Sequence, residues 1–260
     1  MKTIYYRDEL NDDFAPSNGK IKVKKIGDKY KYVHKSPLWK FFEILIYRLI
    51  ATPIGFLICF FGFGTRIKNK KVLRKMKGSY FIYGNHTNSL HDSFAPTLFS
   101  FPKRVRIITS PDAVSIKGIG SLVNMMGAIP LPSDMKASVN FLEALNYAVK
   151  KRNAIMIYPE AHIWPYYNKI RPFKDASFIY PVKMSLPAIP VTTVYKQRKI
   201  FKKMYPRIVL YIGEAVYPNK DLPVNLARED MRDRVYNEMV KTVKEKESFE
   251  YIRYEKEKES

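Results

Sequence analysis

The stretch that decides the fold is YFIYGNHTNSLHDSF, residues 80–94. Its apolar start, Tyr80–Gly84, predicts a short buried strand, and the residues from about Asp92 onward predict a helix. Between them stands a polar turn that holds two of the chain's four histidines. Ligand sites of α/β sheets lie where a strand ends and a helix begins. The stretch therefore predicts both a strand–helix unit and a candidate site.

Further strands are predicted where short apolar runs recur downstream, at residues 105–109, 128–130, 154–158, 188–195 and 207–212. A helix is predicted over 138–150 and another from about Ala227, where Met231, Val235 and Met239 recur at every fourth position as a core-facing stripe. Strands that alternate with helices indicate a mostly parallel sheet. We therefore expect an α/β fold with a mostly parallel central sheet flanked by helices.

An apolar segment precedes this fold. No residue from Leu49 to Thr65 is charged, and aromatic and aliphatic residues extend the segment upstream to Trp39. A membrane span needs about 20 apolar residues, and here Pro53 and several glycines interrupt the run. We expect an N-terminal apolar helical hairpin, with helices at 38–51 and 54–63, that sinks one face into a single leaflet. The alternative is an ordinary hairpin buried in the core.

The net charge is strongly positive, because 46 Lys and Arg stand against 24 Asp and Glu and give a formal +22. Such a charge attracts nucleic acid, anionic lipid headgroups, an acidic carrier protein or phosphorylated small molecules. The alternative is a generally basic surface without a specific partner. A basic cluster directly follows the apolar segment and comprises Arg66, Lys68, Lys70, Lys71, Arg74, Lys75 and Lys77. This adjacency favours an anionic membrane surface as the partner, at about 1 kcal/mol per basic residue near the lipid.

Composition divides the chain into four regions. We expect a basic N-terminal arm over 1–37, a membrane-associating helical segment with the basic cluster over 38–77, the α/β domain over 78–245, and a charged C-terminal tail over 246–260 that frays. The N-terminus is polar and acidic and does not resemble a signal peptide, so the expected location is the cytoplasmic face of a membrane. The single cysteine excludes an intrachain disulfide.

The candidate chemistry centres on His86 and Asp92. A neutral imidazole removes a proton from an alcohol when a nearby carboxylate accepts its other ring N–H and fixes the tautomer. Neither serine nor cysteine stands in a strained strand-to-helix elbow, so direct attack by a substrate hydroxyl is the simpler mechanism. No metal is expected, because the histidines lack a third ligand at helical spacing. The alternative is that His86 ends a strand and Asp92 caps a helix.

Residues 84–94 resemble the first motif of the glycerolipid acyltransferases, specifically the lysophosphatidate acyltransferase group. That motif is an asparagine–histidine pair at a strand end, followed by an aspartate that begins a helix. Four later blocks resemble further segments of the family in the expected order, namely Gly127–Pro130, Tyr158–Glu160, Arg171–Phe178 and Leu186–Val191. Together the blocks cover roughly residues 80–195.

The resemblance implies transfer of a fatty acyl group to the free hydroxyl of lysophosphatidate (1-acylglycerol-3-phosphate) in phospholipid biosynthesis. The implied donor is a thioester, either acyl-CoA or an acyl carrier protein, and no cofactor is expected beyond this co-substrate. His86 is implied as the general base and Asp92 as the group that holds and stabilises its imidazolium.

The chain also departs from the family pattern. Five residues instead of four separate His86 from Asp92, and His91 occupies the usual aspartate position. We keep Asp92 as the partner and expect a one-residue bulge in the turn. Arginines that the family carries after its second and third motifs are missing here, so Arg171 and Lys174 are predicted to bind the acceptor phosphate.

Two further residues are predicted to bind substrate. Asn85 belongs to the asparagine–histidine pair of the first motif. Glu160 follows an apolar strand and is expected to accept a hydrogen bond from a substrate hydroxyl; its alternative is an ion pair with a neighbouring Lys or Arg.

Two other functions remain open at this point. One is a non-catalytic membrane-surface module of the same fold, which the extra residue between His86 and Asp92 favours. The other is a basic nucleic-acid-binding protein. The apolar run 49–65 counts against it, because such a protein does not need that run. We expect no nucleic-acid partner.

Overall fold

The structure is a computed structural model that describes residues 1–15, 19, 21–200 and 204–257. The strands of this described part are β1 Lys2–Tyr6, β2 Arg66–Lys68, β3 Tyr80–Gly84, β4 Val105–Thr109, β5 Ala128–Pro130, β6 Ala154–Ile157, β7 Ala188–Lys196, β8 Arg207–Ile212 and β9 Ile252–Lys256. Its helices are α1 Pro37–Gly62, α2 Lys71–Lys75, α3 Ser89–Ser100, α4 Asp112–Ser115, α5 Gly120–Met125, α6 Met135–Lys150, α7 Ile179–Lys183 and α8 Val224–Glu245.

Seven of these strands form the central sheet in the order β2-β8-β7-β3-β6-β4-β5. Only β7 and β8 pair antiparallel, and every other neighbouring pair in the described sheet is parallel. The predicted α/β fold with a mostly parallel sheet is therefore confirmed. The strand β3 lies at the centre between β6 and β7, so the polar turn that follows it stands in the middle of the carboxyl edge of the sheet.

The two faces of the sheet bury different sets of side chains, because successive residues of a strand point to opposite sides. Tyr80 and Ile82 belong to a core shared with Cys59 of α1 and Leu98 of α3. Phe81 and Tyr83 belong to the other core, which α6 and α8 complete with Phe141, Leu145, Met231 and Val235. The molecule thus has three layers, and α1 lies in the same layer as α3.

The predicted break at Pro53 is wrong. The segment forms one helix, α1, in which α-helical turns at Pro37–Leu45 and Thr52–Phe56 alternate with π-helical turns at Ile46–Ala51 and Leu57–Gly62. The wider π turn ahead of Pro53 accommodates the proline ring, and the Thr52 hydroxyl donates a 2.7 Å hydrogen bond to the Tyr47 carbonyl. In place of the expected hairpin, the chain has a single 26-residue apolar helix.

This apolar helix is only partly covered by protein. It is long and apolar enough to cross a membrane by length and composition, and 22% of its most apolar window is buried. Its covered side packs on α3, where a Cβ on Gly55 would lie 3.0 Å from Phe94 Cδ1. Farther along the same side, the Tyr47 hydroxyl lies 3.0 Å from Thr97 Oγ1. The opposite side exposes Phe41, Leu49, Leu57 and Phe61, among others.

The two ends of the described chain do not behave as a solvated arm and a frayed tail. Strand β1 pairs in parallel with β9, so that Lys2 lies opposite Ile252 and Tyr6 opposite Lys256. Both strands pack on Trp164, which stacks on Tyr254 with ring centroids 4.9 Å apart and also contacts Tyr6 at 4.7 Å. The expectation of fraying beyond Glu245 is wrong, because this shared aromatic contact orders both segments.

Candidate active site

Residues 85–92, which we call the His–Asp turn, join β3 to α3. The turn is anchored by Asn85, whose side-chain amide donates to the Thr193 carbonyl at 3.2 Å and whose Oδ1 accepts from the Thr193 N–H at 2.8 Å. Asn85 is buried, and both of its polar atoms are used by the backbone of β7. Asn85 thus fixes where the turn leaves the sheet, and its predicted role in binding substrate stays a prediction.

The turn brings His86 and Asp92 together. His86 Nδ1 lies 2.9 Å from Asp92 Oδ2, and the same oxygen accepts the backbone N–H groups of Thr87 and Asn88 at 3.0 Å each. Asn88 caps α3 by accepting the His91 N–H at 3.0 Å. The extra residue relative to the family pattern is thus absorbed in a tight loop closed around one carboxylate oxygen.

The charge state of Asp92 follows from these contacts. Burial raises the pKa of Asp92, but the hydrogen bond from His86 and then the close contact with His91 outweigh burial, so the pKa lies below its ordinary value. An ionised Asp92 holds the proton of His86 on Nδ1 and leaves Nε2 as the basic nitrogen. The imidazole also stacks on Tyr158 at 4.4 Å, and the Tyr158 hydroxyl donates to the Asp92 carbonyl at 2.6 Å. These contacts fix the orientation of the ring.

His91 does not replace Asp92 as the partner of His86. Its side chain is fully buried, with Nε2 3.1 Å from Thr65 Oγ1 and the ring against the edge of Phe63. Its Nδ1 lies 3.5 Å from Asp92 Oδ1, without a hydrogen bond between them. His91 therefore links the segment after the apolar helix to the far side of the Asp92 carboxylate, a role that the spacing alone did not reveal.

Glu160 and Arg171 form a buried ion pair behind the His–Asp turn. Glu160 Oε2 accepts the His86 N–H at 3.0 Å, and Oε1 accepts the Arg171 N–H at 3.0 Å. The Arg171 guanidinium lies 3.4 Å from Glu160 Oε2, donates to the His162 carbonyl and packs over Trp164. Burial raises the pKa of Glu160, and Arg171 offsets only part of that rise.

This ion pair corrects two predictions. Arg171 has no exposed surface, so it cannot bind an acceptor phosphate without breaking its pair with Glu160. Glu160 is also buried and accepts two backbone N–H groups, and its contact with Arg171 is the ion pair that was the alternative to a substrate hydroxyl. Together the two residues hold the start of the His–Asp turn. Lys174 is exposed, and its charge contributes to lowering the pKa of Asp8 after hydrogen bonds from Asn11 and Leu10.

The chain matches the sequence model of one protein family. The family model described as "Acyltransferase" matches residues 64–194, just over half of the chain, and this range holds His86, Asp92 and the Glu160–Arg171 pair. The chain belongs to the acyltransferase family. This confirms the resemblance to the glycerolipid acyltransferases at the level of the family. No curated protein sequence matches the chain significantly.

The fold of this acyltransferase is similar to that of a solved structure. It is the crystal structure of the 1-acyl-sn-glycerophosphate (LPA) acyltransferase PlsC from Thermotoga maritima, with a TM-score of 0.54 and 16% sequence identity. The match covers 82% of this chain and 95% of that one. At this identity the similarity concerns the fold.

A group of tyrosines borders the His–Asp turn of this acyltransferase and was not anticipated from the sequence. The Tyr195 hydroxyl donates to Thr87 Oγ1 at 2.8 Å, and the Tyr166 N–H donates to the Thr87 carbonyl at 2.9 Å. Tyr166 adopts a left-handed backbone with φ of 58° and stacks parallel to Tyr205 at 5.5 Å. The sequence does not predict this group of tyrosines, because its members come from three separate segments.

Proposed function

We propose that this acyltransferase moves a fatty acyl group from a thioester donor to the free hydroxyl of lysophosphatidate. His86 Nε2 takes the hydroxyl proton as the hydroxyl oxygen attacks the thioester carbonyl, so that a C–O bond forms. The tetrahedral intermediate then collapses and the C–S bond breaks. The leaving sulfur takes the proton from His86 and departs as the free thiol. Asp92 stabilises the imidazolium between the two steps.

The observation that carries the proposal is the 2.9 Å contact between His86 Nδ1 and Asp92 Oδ2. It removes the main support for a non-catalytic module, namely the extra residue in the turn. The developing oxyanion needs a donor, and the N–H groups of His86, Thr87, Asn88 and His91 are already used within the site. We assign this role to the first N–H groups of α3, at Ser89 and Leu90, where the helix dipole also favours negative charge.

The substrates follow from charge and from the family. A formal charge of +22 favours an anionic donor, either acyl-CoA or an acyl carrier protein, and an anionic acceptor. With Arg171 buried, Lys174 is the remaining sequence-predicted candidate for the acceptor phosphate. No cofactor besides the donor is part of the proposal.

We place the enzyme on the cytoplasmic face of a membrane with anionic lipid. The support is the exposed apolar side of α1 together with the exposed basic residues that follow it in the basic cluster. The C-terminal end of this helix lies close to the candidate site, because Phe63 and Thr65 contact His91. A lipid acceptor in the bilayer would therefore reach the His–Asp turn along the helix end.

The decisive test is thiol release from palmitoyl-CoA with lysophosphatidate or glycerol 3-phosphate as acceptor. We expect release with lysophosphatidate, and a fall in kcat of about 10²–10⁴-fold in His86→Ala, the contribution typical of a general base. His162→Ala is the matched control, since that imidazole lies outside the site, and it should keep wild-type kcat. Near wild-type activity in His86→Ala would refute the base assignment, and release with glycerol 3-phosphate alone would refute the acceptor.

A further inference from the structure

The loop that joins β7 to β8, residues 197–206, combines exposed apolar and basic side chains. The structure describes 197–200 and 204–206 of this loop. Ile200 is 74% exposed, Met204 50% and Tyr205 57%. No protein core covers these side chains among the described residues, and a soluble surface rarely presents such a group together.

The same loop is strongly basic and has no acidic residue between Lys196 and Arg207. Arg198 and Lys199 precede Ile200 directly; Lys199 is exposed and Arg198 is partly buried. Apolar side chains interleaved with Lys and Arg are typical of segments that lie at the headgroup level of an anionic bilayer. Tyr205 fits this level too, because tyrosine is enriched at membrane interfaces.

The loop is attached to the C-terminal end of the apolar helix. Arg198 Nη2 donates to the Gly62 carbonyl at 2.9 Å, and Arg198 Nε donates to the Tyr205 carbonyl at 2.8 Å. Phe61, one residue before Gly62, is 73% exposed. Arg198 thus joins the end of α1, next to the exposed Phe61, to the loop residue Tyr205.

The loop also borders the candidate site. The Tyr205 ring stacks on Tyr166, whose N–H donates to the Thr87 carbonyl in the His–Asp turn. The His–Asp turn is thereby flanked by the helix end on one side, through His91, and by the loop on the other.

We propose that the described parts of the β7–β8 loop are a second membrane contact, in which Ile200, Met204 and Tyr205 insert at the surface of an anionic bilayer while Lys199 binds lipid phosphates. The inference rests on the proposed membrane association of α1 and extends it. Two contacts on either side of the His–Asp turn hold the site against the lipid surface, where the hydroxyl of a single-chain acceptor is presented. One contact alone leaves the domain free to rotate away from it.

The test compares Ile200→Asp/Met204→Asp with Met135→Asp/Val139→Asp, a control with the same two charges on the exposed side of α6, in the opposite layer of the molecule. Full-length proteins are sedimented with vesicles of phosphatidylglycerol and phosphatidylcholine, and with vesicles of phosphatidylcholine alone. We expect the loop variant to bind the anionic vesicles on the order of tenfold more weakly than wild type and the control to bind as wild type. We also expect wild type to bind the neutral vesicles weakly.

Activity separates a membrane role from misfolding. With a water-soluble, short-chain lysophosphatidate below its aggregation concentration, the loop variant should keep wild-type turnover and lose it only on vesicle-embedded acceptor. Wild-type vesicle binding by the loop variant would overturn the inference. So would a wild-type dimer that the loop variant dissociates, since that result makes a second copy the occupant.

The proposed membrane association has its own variant, Leu49→Asp/Phe61→Asp on the exposed side of α1. If this helix variant loses vesicle binding and the loop variant does not, the loop inference fails and the proposed function stands. If neither variant loses binding, both fail.

Discussion

At the residue scale, the chemistry depends on one carboxylate oxygen. Asp92 Oδ2 accepts His86 Nδ1–H and two backbone N–H groups, so the same contacts that close the His–Asp turn also set the tautomer of the imidazole. Function and local folding are therefore coupled in this residue. Because the pKa of Asp92 is depressed, its stabilising contribution is present above the ordinary aspartate pKa of about 4 and is lost only as the pH falls through the lower folded value.

A pair of substitutions tests which group orients His86. Asp92→Asn should lower kcat by about 10²–10⁴-fold, because an amide favours the wrong imidazole tautomer. His91→Leu removes the 3.5 Å contact to Oδ1 and the 3.1 Å contact with Thr65 but leaves the His86–Asp92 pair. It should lower kcat by about tenfold or less, a loss within about 1.4 kcal/mol of transition-state energy. Steady-state thiol release measures both. A larger loss in His91→Leu than in Asp92→Asn would mean that the aspartate is not the partner.

The residue types in the sequence showed which groups could react, but not which were already paired. His86 and Asp92 were identified correctly as meeting, because a local turn brings them together. Arg171, Glu160 and Asn85 were assigned to substrate, since a charged or amide residue beside a motif looks available. Arg171 and Glu160 pair with each other, and Asn85 bonds to the backbone of β7. Spacing along the chain does not predict such contacts.

At the element scale, the position of the apolar helix depends on one close approach. Gly55 lets α1 pack on α3 with Phe94 at a distance that leaves no room for a larger residue. Since α3 begins with the His–Asp turn, this contact also fixes the helix end relative to the site. The sequence predicted the helical character of the segment from its composition. It did not predict the continuity through Pro53, because π turns have no simple sequence pattern.

Gly55→Val should destabilise the protein by about 1–3 kcal/mol through overpacking against Phe94. Gly62→Val is the matched control in the same helix, since a Cβ there meets nothing within 4 Å. Urea unfolding of both variants measures the difference in the free energy of unfolding. Equal stability of the two variants would show that the helix does not pack on α3 at this position.

At the scale of the whole molecule, the site is closed by segments that are distant in sequence. Trp164 lies beneath Arg171 and is packed between Tyr6 of β1 and Tyr254 of β9, and its indole N–H donates to the Asp12 carbonyl at 2.8 Å. The central strands were predictable because each is a continuous apolar run. The β1–β9 pair was not, because β9 is rich in charge and both strands owe their order to an aromatic contact across the molecule.

Tyr254→Ala should therefore act on the site from a distance. We expect a loss of about 2–4 kcal/mol in the free energy of unfolding, as for other large aromatic truncations, with a lower kcat because the Glu160–Arg171 pair loses its packing. Tyr254→Phe keeps the ring on Trp164 and removes only the 2.9 Å hydrogen bond to the Pro165 carbonyl, so it should cost about 1 kcal/mol. Thermal unfolding and thiol release test both variants. An unchanged kcat in Tyr254→Ala would disconnect the termini from the site.

The β1–β9 pair also determines when during synthesis the fold can be completed. Lys2 meets Ile252, so a ribosome has to add 250 further residues before the first strand finds its partner. Until then Trp164 packs on Tyr6 without Tyr254 on its other side. Arg171, which lies over Trp164, therefore lacks its final packing. A nascent chain that already contains His86, Asp92 and the apolar helix α1 thus still lacks the packing on Trp164. The packing around the site is therefore expected to be complete only after translation has passed β9.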